Sequence, residues 1–189
     1  MPKRSNARRG PPGSVRIIAG EWRGRRIPIG AETAVRPTPD RVRETVFNWL
    51  QAKIEGARVL DLYAGTGALG FESLSRGAAE AWFVEQDARL VEALYGQAET
   101  FGAKPRIVRQ DAAAFLRGRA TQFDVVFLDA PYRLPVEPLL ELLPSWLAAE
   151  GLAYVERPLP AGLPAVDVGE WLKRSHAGAV EYGLLRFAV

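Results

Sequence analysis

The chain has 189 residues, 48% of them apolar, which suits one domain with a filled core and a short appendage. No run approaches the ~18–20 uninterrupted apolar residues of a membrane span. The basic residues 1–6 lack the apolar stretch of a secretory signal. The absence of cysteine excludes disulfides, thiolate metal sites and a cysteine nucleophile, and the single His176 argues against a zinc cluster or a Ser-His-Asp triad.

The net charge of +3 conceals an asymmetry: residues 1–43 carry eleven basic and three acidic side chains, net +8, and the remainder nets −5. A basic arm on a mildly acidic domain is the footprint of a polyanion partner. Arginine outnumbers lysine in this arm, and arginine pairs with phosphate bidentately and stacks on bases.

In chain order, residues 1–14 are rich in Arg, Pro and Gly and are expected to be disordered until bound. The β-rich runs 15–19 and 25–29 flank a glycine-bounded turn at 20–24 and predict a hairpin. A hairpin alone is marginal in water, so it should lean on the main domain and present Trp22, Arg23, Arg25 and Arg26 outward. After a linker at 30–35, Thr38 as N-cap, Pro39 as first helical residue and Asp40 in the first turn open a helix. Val42, Val46, Phe47, Trp49, Leu50 and Ile54 form its apolar stripe, and Arg41 and Arg43 diverge from it. Residues 1–35 thus read as a basic arm plus hairpin, and 36–189 as the main domain.

A parallel α/β alternation follows. Strands are predicted at 59–62, 80–85, 105–110, 123–128 and 152–156. Helices follow the first strand to Arg76, run from Asp87 to Gly102, and cover 112–117 and 136–149, the last kinked or restarted at Pro144. Two final strands, near 171–176 and 180–188, should pair antiparallel about Ala177-Gly178.

The run Val59-Leu60-Asp61-Leu62-Tyr63-Ala64-Gly65-Thr66-Gly67-Ala68-Leu69-Gly70 reads as a buried strand, a glycine turn and a helix start, the geometry of a nucleotide-like site. Gly65, Gly67 and Gly70 satisfy G-x-G-x-x-G. Asp61, four residues before the first glycine, would repel a pyrophosphate but suits a cofactor with a cationic end. The pattern D-x-x-x-G-x-G resembles motif I of methyltransferases that use S-adenosylmethionine (SAM). Glu85 closes the second strand, where an acidic side chain accepts from ribose hydroxyls. Asp111 closes the third; helix capping explains it nearly as well as contact with an adenine edge through Asp111 and the Ala112 N–H. The candidate cofactor residues are therefore Asp61, Tyr63, Ala64, Gly65, Gly67, Glu85, Gln86, Asp111 and Ala112, with Thr38.

Leu128-Asp129-Ala130-Pro131-Tyr132 after the fourth strand resembles the D/N-P-P-Y/F motif of enzymes that methylate exocyclic amines of bases. An aryl amine is a poor nucleophile because its lone pair is delocalised. A carboxylate and a backbone carbonyl accepting its two N–H groups draw the nitrogen toward tetrahedral geometry and offset its developing positive charge. Pro131 stiffens the loop, and Tyr132 stacks on a flipped base. Asp129, Ala130, Pro131 and Tyr132 are the candidate catalytic residues; Ala130 stands where the motif usually has its first proline.

Two further runs narrow the resemblance: residues 16–26, RIIAGEWRGRR, and 36–50, RPTPDRVRETVFNWL. Together with motif I and the Asp129 loop they resemble the RsmD family, whose members methylate N2 of a guanine in bacterial 16S ribosomal RNA. The resemblance implies SAM as methyl donor, S-adenosylhomocysteine as product and 16S rRNA as partner, within an assembled or assembling small subunit. It implies a cytoplasmic, monomeric enzyme with no metal and no membrane. The implied fold is a Rossmann-like seven-stranded, mostly parallel sheet of order 3-2-1-4-5-7-6, strand seven antiparallel, with an N-terminal hairpin extension. RNA should dock on Arg16, Trp22, Arg23, Arg25, Arg26, Arg41 and Arg43. The alternatives are a DNA adenine-N6 methyltransferase, disfavoured because the chain has no room for a target-recognition domain; a non-catalytic RNA-binding protein of the same fold, disfavoured by Asp129 and Tyr132; and, more distantly, an NAD oxidoreductase, disfavoured by Asp61.

Overall fold

Short buried runs in which both neighbours of each apolar residue are also buried make central strands, and here they form the middle of one seven-stranded sheet whose two edge strands are more exposed. The computed structural model describes residues 13–30, 38–167 and 169–188. Most of the basic arm, and the Arg36-Pro37 start of the helix signature, lie outside the described residues. The parallel strands are β3 (Arg58–Asp61), β4 (Glu80–Glu85), β5 (Arg106–Arg109), β6 (Phe123–Leu128) and β7 (Leu147–Pro158). β8 (Gly169–Ala177) and β9 (Val180–Phe187) complete the sheet in the order β5-β4-β3-β6-β7-β9-β8. β9 runs antiparallel to β7 and to β8. Counted within the sheet this is 3-2-1-4-5-7-6, the order expected from the sequence. A separate antiparallel hairpin pairs β1 (Ser14–Arg16) with β2 (Arg26–Pro28), Val15 opposite Ile27.

Alternate residues of each strand face opposite layers. One layer takes Leu60, Trp82, Val84, Val126, Leu128 and Val155 against α5 (Ala112–Leu116), α6 (Glu137–Leu140) and a 3-10 turn at Leu143–Trp146. The other takes Val59, Val125, Phe127 and Tyr154 against α1 (Asp40–Trp49) and α2 (Gln51–Ile54). On that second side Ala81 and Phe83 pack against α3 (Ala68–Ser75), α4 (Ala88–Phe101) and the hairpin residues Val15, Ile17, Trp22 and Ile27.

Three local expectations are corrected. Pro39, not Thr38, is the N-cap of α1, with no side-chain cap bond, because the Thr38 hydroxyl is drawn to Asp129. The apolar stripe of α1 breaks at Leu50, whose C=O starts the short α2. Residues 147–149 are strand rather than helix. The β6–β7 register shifts between Phe123 and Val125, and Glu150, at φ 60°, carries the extra residues out of the ladder as a bulge. The helix predicted over 136–149 is therefore only α6 and the 3-10 turn.

Candidate active site

β3 ends at Asp61, a buried residue whose Oδ2 accepts the Gly70 N–H at 3.2 Å. Burial pushes its carboxyl up to about 7, against the lowering pull of that N–H and with help from the nearby charge of Glu85. The chain then turns through Gly67, at φ 77°, which caps α3 in a left-handed conformation that side-chain-bearing residues rarely adopt. Gly70 is required for contact: a Cβ there would lie 2.1 Å from the Phe83 ring. The glycine pattern thus seats α3 directly on β4.

Glu85, at the end of β4, ties this turn to the next one. Its Oε2 accepts the Gly65 N–H at 3.0 Å and its Oε1 the Asp87 N–H at 2.9 Å. Tyr63 is half-buried, and its hydroxyl pKa is raised by burial and by the nearby charge of Asp111. Asp111 caps α5 through the Ala114 N–H at 2.9 Å. Ala64 and Ala112 are buried and Gln86 is exposed. Asp61, Tyr63, Ala64, Gly65, Gly67, Glu85 and Asp111 therefore meet at the carboxyl ends of β3, β4 and β5. The hydrogen-bond partners of Asp61 and Glu85 are backbone N–H groups, and the charge acting on Asp61 is another carboxylate. Such a set of acceptors fits a ligand with hydroxyls and a cationic end and repels phosphate.

The second half of the site adjoins the first, since β3 and β6 are neighbours and Leu62 N–H donates to Phe127 O at 3.1 Å. Asp129 is only partly exposed, and its carboxyl is pushed up to about 8. Burial is the largest cause, then the charge of Glu156 and, more weakly, of Asp61; the Thr38 hydroxyl, donating to Oδ2 at 3.0 Å, and Arg157 oppose it. Ala130 is buried, Pro131 exposed, and Tyr132 48% exposed. The turn is closed by Leu134 N–H donating to Pro131 O at 2.8 Å. Thr38 is thus brought to the Asp129 loop and not to the glycine turn.

Three residues of the loop's surroundings escaped the sequence reading. Tyr132 Oη donates to Glu156 Oε1 at 3.0 Å, Tyr154 Oη donates to Glu156 Oε2 at 2.9 Å, and Arg157 donates to Tyr132 O at 3.0 Å. Leu128 pairs with Val155, so Glu156 and Arg157 sit beside the Asp129 loop at the carboxyl end of β7. Charged residues at that end of an α/β strand are the signal that could have found them.

The basic face is partly as expected. Arg16, Arg23, Arg25, Arg26 and Arg41 are exposed. Arg16 lies 3.6 Å from Asp40, Arg25 donates to Thr100 O at 2.5 Å and covers the Phe101 ring, and Arg26 donates to Ser14 Oγ. Two expectations fail. Trp22 does not point outward: it is 7% exposed and stacked on Phe101 with ring centroids 4.7 Å apart, because α4 offers an aromatic face to the hairpin. Arg43 does not face RNA either. It is fully buried, bonded to Asp40 at 2.7 Å, to Arg16 O at 2.7 Å and to Glu72 at 3.5 Å, because the buried carboxylate of Glu72 needs a cation.

Among the described residues no helix is long and apolar enough to cross a membrane, and no group of three or more acidic or His side chains could hold a metal. A family model described as "Conserved hypothetical protein 95" matches residues 15–186. The chain is 44% identical over 177 residues to ribosomal RNA small subunit methyltransferase D of Escherichia coli strain K12, spanning 91% of this chain and 89% of that protein. A solved structure, putative methyltransferase yhhF from Escherichia coli, superposes with a TM-score of 0.85 at 41% identity over 93% of this chain and 98% of that one. A 16S rRNA N2 methyltransferase of T. thermophilus (RsmC), solved in complex with AdoMet and guanosine, shares the fold alone. Its TM-score is 0.68 at 20% identity, over 94% of this chain and 50% of that one.

Proposed function

Because the chain belongs to the RsmD family of ribosomal RNA small subunit methyltransferases, we propose that it transfers a methyl group from SAM to the exocyclic N2 amine of a guanine in 16S rRNA. The observation that carries this reading is the pairing of two carboxylate sites at adjacent strand ends. The glycine turn with Asp61 and Glu85 lies next to the Asp129 loop. Relatives named for the small-subunit RNA supply the substrate class.

SAM, when bound, supplies an electrophilic methyl on a sulfonium. Glu85, held by the Gly65 and Asp87 N–H groups, keeps acceptor capacity for ribose hydroxyls. Asp61 and Tyr63 line the approach to the glycine turn, and Asp111 with Ala112 reads the adenine edge. Asp129 accepts one N–H of the target amine and the Ala130 carbonyl accepts the other, which directs the nitrogen lone pair toward the methyl group. Once the methyl is on nitrogen the amine carries a surplus proton. A carboxylate whose pKa has been pushed up to about 8 is well matched to take it. Tyr132, half in solvent, stacks on the extruded base. Arg16 and Arg23 line one shallow cleft on the hairpin and, with Arg25, Arg26 and Arg41, hold RNA phosphates. The enzyme works in the cytoplasm, as a monomer, with residues 1–35 contributing the RNA-docking surface.

The test is tritium transfer from labelled SAM to small ribosomal subunits that lack the modification, with duplex DNA as control. Wild type should label the subunits and not the DNA. Asp129→Ala should lose transfer while its SAM affinity, measured by calorimetry, stays near that of wild type. Full transfer by that variant would refute the reading.

A further inference from the structure

Tyr132 is an unusual element of the site: it is half exposed, yet it is held at both ends. Its hydroxyl donates to Glu156 at 3.0 Å, and its backbone carbonyl accepts from Arg157 at 3.0 Å. Consecutive strand residues point to opposite faces, so Glu156 and Arg157 reach the loop from the two sides of β7. Glu156 is itself 3% exposed and is held by a second tyrosine, Tyr154, whose hydroxyl donates to its other oxygen at 2.9 Å. Tyr154 in turn packs edge-on against Phe127, in the strand that delivers Asp129. A buried carboxylate with no basic side chain among its hydrogen-bond partners is costly to keep in a core. Retaining one solely to hold two phenols makes physical sense if the position of a phenol matters.

Resting on the reading that the Asp129 loop receives the target base, we propose that Glu156 is a positioning residue. It fixes the Tyr132 ring as a rigid stacking wall for that base, and Arg157 locks the backbone behind the ring. A ring tethered at its hydroxyl cannot swing into the cleft, and the base arrives against a surface already in place. A small misplacement at such a wall is expensive, because transfer demands alignment of the amine, the methyl group and the leaving sulfur.

The experiment compares Glu156→Ala, Glu156→Gln, Tyr132→Phe, Tyr132→Ala and the double variant Tyr132→Ala/Glu156→Ala in the full chain. Assays measure methyl transfer to unmodified small subunits and SAM binding by calorimetry, with Asp129→Ala as control. Glu156→Ala should raise the KM for subunits and lower kcat, together by about tenfold or more in kcat/KM, with SAM affinity unchanged. Glu156→Gln, whose amide oxygen still accepts from one tyrosine and whose NH2 can donate to the other, should recover to within about threefold of wild type. The double variant should be no worse than Tyr132→Ala alone, because one residue acts through the other. If Glu156→Ala does not fold, Tyr132→Phe and Glu156→Gln carry the same comparison. Each should lose activity modestly, and their combination should add nothing. Losses that multiply, or wild-type kcat/KM in Glu156→Ala, overturn the proposal. An inactive Asp129→Ala beside a fully active Glu156→Ala would sink the tether alone, whereas an active Asp129→Ala would sink the reading of the loop as well.

Discussion

In the proposed reaction Asp129 must be ionised, because a protonated carboxyl cannot take the surplus proton of the methylated amine. Burial and the charges of Glu156 and Asp61 hold it up to about 8, with Thr38 and Arg157 pulling the other way. The sign follows: at pH 7 most of the free enzyme carries the inactive, protonated form, and ionisation increases through about 8. The kcat/KM for small subunits should therefore climb across that interval and level off above it. A stopped-time assay between pH 6 and 9.5, with the ionic strength held constant, would read the limb directly. A profile already flat at pH 7 would mean that another group, not Asp129, limits the step. Burial also pushes the Asp61 carboxyl up, to about 7.

Element packing explains why the hairpin belongs to the core. Glu72 of α3 accepts the Ile18 N–H at 2.7 Å and the Ala19 N–H at 3.0 Å, and pairs with Arg76 at 2.7 Å and Arg43 at 3.5 Å. Trp22 closes the other side by stacking on Phe101, which also meets Phe71 edge-on. Trp22→Ala should thus cost ~3–5 kcal/mol of unfolding free energy, the range for removing a buried aromatic, as measured by urea denaturation. A cost within ~0.5 kcal/mol would mean that the indole behaves as a surface group. This is also where sequence reading reached its limit. The strand order and the glycine turn were legible because strand, turn and helix signals are local and strand order is a family-wide property. Trp22 lies between two charges and Arg43 is itself one, and their partners, Phe101 and Glu72, lie far along the chain, so neither one's burial is legible locally. Thr38 read as a helix cap from the local sequence Thr-Pro-Asp, yet its hydroxyl bonds a residue 91 positions away. Glu156 was read only as the end of a strand; the two tyrosines that give it a task come together only when β6 and β7 pair.

Residues 44–189 net −5, while the hairpin and the start of α1 carry the exposed arginines Arg16, Arg23, Arg25, Arg26 and Arg41. Substrate docking should accordingly be dominated by phosphate contacts and fall steeply with salt. Replacing Arg23 by alanine should flatten the log–log salt dependence of RNA binding by ~0.7–0.9, read from filter binding across a salt series, while SAM affinity stays put. An unchanged slope would remove Arg23 from the footprint. Removing residues 1–12 tests the arm alone. Removing 1–30 would not, because Val15, Ile17, Trp22 and Ile27 would leave a hole in the core beside Phe71 and Phe101.

α3 has two occupied ends. Its first turn springs from Gly67, at the glycine turn, and its last holds the hairpin: Ser75 Oγ accepts the Trp22 N–H at 2.9 Å and donates to Ala19 O at 2.6 Å, and Ser75 O accepts the Glu21 N–H at 2.7 Å. A helix of eight residues is a rod about 12 Å long. Thermodynamic reciprocity then applies: if bound cofactor stiffens the helix, it also stiffens the hairpin, and RNA seated on the hairpin must tighten the cofactor by the same factor. Amide exchange at Ile18, Ala19 and Trp22 should slow when saturating S-adenosylhomocysteine is added, although none of the three borders the glycine turn. Unchanged rates would mean that the two ends of the rod do not communicate. Slowed rates would make the coupling between cofactor and RNA a property of one short helix.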